Sequence, residues 1–118
     1  MRATRRWRDY RTPSGRRPVK RFIDGLSDAD AAAVVAAMKD VQVYGNEVAH
    51  HLDGDIYEVR AAGHKQSFRV LYATEGKEDQ VLLALEAISK KTKRTPLQTI
   101  QLANRRLADW RSRGRKQQ

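Results

Sequence analysis

The sequence predicts an α+β protein, an expectation that rests on three observations. Apolar residues recur at helical spacing between Val19 and Val41, the period changes to two from Asp55 onward, and a capped amphipathic segment begins at Thr95. A chain of 118 residues suits one domain, here 1–118 with a basic tail after about residue 113.

Taken in order, Arg5 to Tyr10 alternates around Trp7 and stops at the Thr12-Pro13-Ser14-Gly15 turn, as a short exposed basic strand would. Val19, Phe22, Ile23 and Leu26 then make a short helix limited by Gly25. Ser27 caps a longer one, with Asp28 and Asp30 in its first turn and Ala31, Val34, Val35, Met38 and Val41 on one face, before Gly45 closes it. Met38 is expected to fill core. From Asp55, Tyr57, Val59 and Ala61 alternate with Ile56, Glu58 and Arg60. After a loop at 62–66, Phe68, Val70 and Tyr72 do the same, which predicts a hairpin. A polar turn over 75–80 leads into Val81 to Ile88, apolar on both faces and therefore the central strand. Thr95-Pro96-Leu97-Gln98 has the form of a capping box, and Leu97, Ile100, Ala103, Leu107 and Trp110 give the last helix its apolar face.

Charge is segregated along the chain. The net charge is +10, yet residues 1–21 hold nine Lys or Arg against one acid and residues 90–118 hold ten against one, while residues 22–89 hold five against twelve. Basic ends brought together by folding attract an anionic polymer or an acidic partner; a merely solvated cation is the blander alternative. The absence of cysteine excludes disulfides, thiolate metal sites and a cysteine nucleophile. No apolar run approaches the ~18 residues of a membrane helix, and none follows the basic opening Met1 to Arg8, so neither a membrane partner nor a secretory signal is expected and a cytoplasmic location is.

Strand parity then selects candidate chemistry. If Tyr57, Val59, Phe68, Val70 and Tyr72 face the helices, Glu58, Arg60 and Arg69 share the other face. The same logic sends Val81, Leu83 and Leu85 to the core and Leu82, Ala84, Glu86 and Ile88 to the arginine face, where Glu86 joins Arg60 and Arg69. Lys90, Lys91, Lys93 and Arg94 overhang that surface. Two arginines can hold a phosphate and stabilise a pentacovalent transition state while a carboxylate takes a proton from a ribose 2′-hydroxyl. The alternative is a ladder of cross-strand ion pairs, Glu58 with Arg69 and Glu86 with Arg60. Tyr57 and Tyr72 are expected in the core; Trp7 and Tyr10 are open to packing or to stacking on bases beside Arg8. His64 in the hairpin loop can approach RNA. His50 and His51 point to opposite sides of an extended chain, so His50, His51, Asp53 and Asp55 are not expected to hold a metal.

Tyr57-Glu58-Val59-Arg60, Phe68-Arg69-Val70-Leu71-Tyr72 and Lys90-Lys91-Thr92-Lys93-Arg94-Thr95-Pro96, with Pro18 to Ile23 and Leu26 upstream and Ala103 and Arg106 downstream, resemble the HigB-type, phage-derived branch of the RelE/ParE toxin superfamily. The resemblance spans roughly residues 7 to 112. It implies a RelE-like fold, an antiparallel or mixed four-stranded sheet with two N-terminal helices packed on one face and a C-terminal helix. It also implies a toxin of a type II toxin–antitoxin system: a ribosome-dependent mRNA endonuclease acting by 2′-hydroxyl attack without cofactor or metal, with mRNA, the ribosome and a helix-turn-helix antitoxin as partners. Arg60, Arg69, Glu86 and Lys91 become the catalytic candidates, and Lys90, Lys93, Arg94, His64 and Arg8 the RNA-binding ones. One departure is evident: Leu85-Glu86-Ala87-Ile88-Ser89 lacks the phenylalanine that relatives carry before the lysine pair, so no base can stack there. The alternative function is a non-catalytic toxin that poisons DNA gyrase, or a phage protein that only binds nucleic acid.

Overall fold

The computed structural model describes residues 4–90 and 93–116. Among them, five strands and three helices follow the order β1 (Arg6–Asp9), α1 (Pro18–Asp24), α2 (Asp28–Tyr44), β2 (His50–Asp53), β3 (Ile56–Ala62), β4 (Ser67–Glu75), β5 (Val81–Lys90) and α3 (Leu97–Lys116). Lys91 and Thr92 lie outside the described residues.

The helix starts follow their sequence signals. Pro18 opens α1, and the Ser27 hydroxyl accepts from the Asp30 N–H at 3.2 Å to cap α2. Gly45 ends α2 at a φ of +70°, a conformation an L side chain rarely takes.

The sheet runs β1-β5-β4-β3-β2. It is mixed: β1 lies parallel to β5, and the remaining pairs are antiparallel. This makes five strands where four are expected. The extra one, β2, is short and exposed; it pairs with β3 through a tight turn at Gly54, whose φ is +51°. Its residues carry no apolar alternation, so periodicity cannot reveal it.

Both faces of the sheet are covered. On one, α1 and α2 contribute Val19, Val34, Met38 and Val41 to a core with Val59, Ala61, Phe68, Val70 and Tyr72. On the other, Ala103 and Leu107 of α3 pack on Tyr10, Ile56, Leu71, Ala73, Leu83 and Leu85. The parity expected for β3 and β4 therefore holds, but that for β5 is reversed: Leu82 and Ala84 join the α1/α2 core, and Leu83 and Leu85 face α3. A bulge then restores the phase. Tyr72 pairs with Ala84 and Leu71 with Glu86, leaving Leu85 as the extra residue, so Glu86 does emerge on the α3 face.

Two expectations for the last helix also change. The helix runs through Gly114 to Lys116, so no tail begins at 114. The Pro96 carbonyl accepts the N–H groups of Thr99 and Ile100, while the Thr95 hydroxyl is used elsewhere.

Candidate nucleic-acid interface

Arg60 and Arg69 are direct partners across β3 and β4, as parity requires. Their surroundings differ. The start of α3 crosses this part of the sheet, so Glu58 is fully buried, Arg69 is 2% exposed and Thr95 7%. One network joins them. Arg69 Nη1 donates to Thr95 Oγ1 at 2.7 Å, Thr95 Oγ1 donates to Glu58 Oε1, and Arg60 Nε donates to Glu58 Oε2 at 2.6 Å. Arg60 Nη2 reaches the Lys93 carbonyl at 3.1 Å. The buried Glu58 carboxylate thus meets the Arg60 guanidinium directly and the Arg69 guanidinium through Thr95, the kind of arrangement that makes a buried charge tolerable. It also ties the segment carrying Lys93 and Arg94 to the sheet. The ion-pair ladder expected as an alternative forms in neither half: Glu58 reaches Arg69 only through Thr95.

Arg60 remains 39% exposed at its side chain and lines an open groove of about 540 Å³ with His51, Leu52, Lys93, Arg94, Thr95, Leu97 and Ile100. Three fixed or tethered cationic groups and an imidazole surround it, with apolar Leu52, Leu97 and Ile100 along one wall. Such a groove suits a phosphate with an adjoining sugar or base. His51 Nε2 lies 2.7 Å from the Gly54 carbonyl, and its ring is 5.0 Å from that of Tyr57. Because a carbonyl only accepts, Nε2 carries the proton and Nδ1 is left as the basic nitrogen.

Glu86 is not part of this groove. It lies opposite Leu71, two residues along β5 from Ile88, the partner of Arg69. Its Oε1 is 3.4 Å from Arg106 Nη1 and accepts the Ala87 N–H at 3.0 Å, while Arg106 donates to the Leu85 carbonyl at 2.8 Å. β1 covers only the first part of β5, from Val81 to Ala84. Beyond it, Glu86 and Arg106 satisfy polar groups at an edge that would otherwise invite another strand.

The other sequence candidates divide. Lys93 and Arg94 line the groove. Lys90 pairs with Ser67 at the end of β5, and Lys91 lies outside the described residues. His64, on the loop after β3, is exposed and held through its N–H to Asp30 at 3.1 Å, beside α2. Arg8, on β1, lines a separate hollow with Arg11, Trp110 and Arg113. Trp7 and Tyr10 pack inward: Trp7 Nε1 donates to the Met38 carbonyl at 2.7 Å, and the Tyr10 hydroxyl donates to Asp109 at 2.6 Å. Sequence reasoning did not single out Glu58, Thr95 or His51 for the site. Glu58 carried a signal, a lone acid between Tyr57 and Val59 on the same face as two arginines; His51 carried none, because β2 has no apolar alternation.

No curated protein matches the chain. The model of one family, described as phage-derived protein Gp49-like (DUF891), matches residues 21–108, a span that holds Glu58, Arg60, Arg69, Lys93 and Thr95.

Proposed function

Because the chain belongs to the phage-derived Gp49-like family, a toxin-like family, we propose that it is the toxin of a type II toxin–antitoxin pair and cuts messenger RNA on the ribosome. The observation that carries this reading is Arg60: exposed at the groove, yet oriented by a buried carboxylate and by the Lys93 carbonyl. A preorganised guanidinium is what stabilises charge developing on phosphate oxygens. In this mechanism the 2′-hydroxyl attacks the adjacent phosphorus and His51 Nδ1 takes its proton. Arg60 holds the equatorial oxygens, Arg94 binds the neighbouring backbone, and Lys93 gives a proton to the departing 5′ oxygen. The products are a 2′,3′-cyclic phosphate and a 5′-hydroxyl. Arg69 acts beneath the site, positioning Thr95 and the segment that follows β5. A helix-turn-helix antitoxin is the neutralising partner.

Incubation with ribosomes and a defined mRNA tests this: new 5′-hydroxyl ends should appear with the native chain and be depleted by Arg60→Ala. A second reading, a non-catalytic toxin acting on DNA gyrase or a protein that only binds nucleic acid, draws support from Ile88. That residue pairs with Arg69 and offers no aromatic surface for a base. It predicts no new RNA ends in the same assay.

A further inference from the structure

At the far end of α3 from the Arg60 groove, β1 and the last turns of α3 enclose a hollow of about 350 Å³ lined by Arg8, Asp9, Arg11, Trp110, Arg113 and Gly114. It shares no residue with the groove. Along the helix, Leu97 and Trp110 are separated by roughly 20 Å at 1.5 Å per residue.

The hollow's charge is unbalanced. Asp9, its one acid, is already bound by Arg17, with Nη2 at 2.7 Å. Arg113 is held by Asp109 at 2.7 Å and donates to the Arg11 carbonyl, which fixes its guanidinium against the wall. Arg8 and Arg11 are exposed and make no side-chain ion pair or hydrogen bond among the described residues. Two uncommitted guanidinium groups and one anchored one therefore face a volume that also borders a partly exposed indole. Arginine forks select phosphate, and an indole face adds a surface for stacking an aromatic base. The family match ends at residue 108, so Arg8, Arg11, Trp110 and Arg113 all fall outside the matched span.

We infer that this hollow is a second RNA contact, holding a phosphate between Arg8 and Arg11 and the adjoining base against Trp110. The inference rests on the reading of the chain as RNA-directed, but not on its cutting RNA. A strand bound at both ends of α3 would be anchored independently of the groove.

Tryptophan emission isolates the site, because Trp7, the other indole, is committed to the Met38 carbonyl and lies edge-on to Tyr72 at 5.2 Å. The full chain is titrated with heptaadenylate and, separately, with adenosine monophosphate, while binding of end-labelled heptaadenylate is followed in parallel. Heptaadenylate should quench the emission, and Trp110→Phe should abolish the quench. Arg60→Ala should leave it in place. The double variant Arg8→Gln/Arg11→Gln should weaken binding about tenfold and lower the salt slope by about 0.7, as expected when one phosphate of a single strand is no longer neutralised. Unchanged affinity and quenching in that double variant overturn the proposal, as does a quench that disappears with Arg60→Ala. Monophosphate binding as tight as the heptamer's also overturns it, since the site then belongs to a free nucleotide. If labelled RNA binds and is cut while Trp110 stays silent, the hollow fails and the toxin reading stands; if RNA does not bind at all, both fail.

Discussion

Arg60 and Arg69 face each other across β3 and β4, but Arg60 opens onto a groove while Arg69 is closed under Thr95. Equal parity has produced unequal roles. Arg60 is both a preorganised donor and the direct ion-pair partner of the buried Glu58 carboxylate, so Arg60→Ala should lower ribosome-dependent cleavage by ~10² to 10³ and lower the urea midpoint as well, whereas Glu58→Gln/Arg60→Ala removes the stranded charge and should recover stability without recovering cleavage. Arg69→Ala should lower stability by ~1 to 3 kcal/mol, because it takes a buried donor from the Thr95 hydroxyl that holds Glu58. Parallel denaturation and cleavage measurements separate the two. Recovery of cleavage together with stability in Glu58→Gln/Arg60→Ala would contradict the role given to Arg60.

Thr95 carries the link between the buried pair. Its hydroxyl accepts from Arg69 and donates to Glu58, so an isosteric side chain without oxygen strands both partners. Thr95→Val is expected to cost ~1 to 3 kcal/mol in urea unfolding, the range for a buried polar group left unsatisfied, while Thr95→Ser keeps the oxygen and stays close to the native chain. Were the residue acting as a helix cap alone, the Val substitution would typically cost about 1 kcal/mol and the loss would be the same in an Arg69→Ala background.

These residues also show how far the sequence could be read. Period and caps located α1, α2, β3 and β4, because each carries one clear apolar period in its sequence. β5 defeated parity for two reasons. Its residues are apolar on both sides, and the bulge at Leu85 inserts a residue that no alternation rule anticipates. The reading that put Glu58, Arg60 and Arg69 on an open face assumed that only α1 and α2 cover the sheet. With α3 on the opposite face, Glu58 and Arg69 become buried and Thr95 changes from a cap into their bridge. Glu86 failed as a partner for the same kind of reason: it occupies the right face but the wrong edge, where Arg106 meets it.

Alkaline pH should expose the other buried hydroxyls. Burial first, and then the hydrogen bond to Asp109, pushes the Tyr10 phenol above its ordinary value; burial also raises Tyr72, with the neighbouring Tyr57 adding to it. In the unfolded chain both ionise near pH 10. The stability each contributes is therefore complete below about pH 10 and is lost as pH rises toward the folded value. Urea midpoints measured from pH 8 upward should fall beyond about pH 10, and the fall should be shallower in Tyr10→Phe and Tyr72→Phe. A decline of unchanged steepness in both variants would place the alkaline sensitivity elsewhere.

The choice of proton acceptor separates His51 from Glu86. His51 lines the Arg60 groove, and its Gly54 contact leaves Nδ1 free to accept, whereas the Glu86 carboxylate is engaged by Arg106 and the Ala87 N–H at a different hollow. His51→Ala should lower cleavage by ~10² to 10⁴, the usual range for a general base. Glu86→Gln preserves the side chain's shape and should leave the cleavage rate within a fewfold of native. Cleavage that survives in His51→Ala and is lost in Glu86→Gln would return the base to the carboxylate.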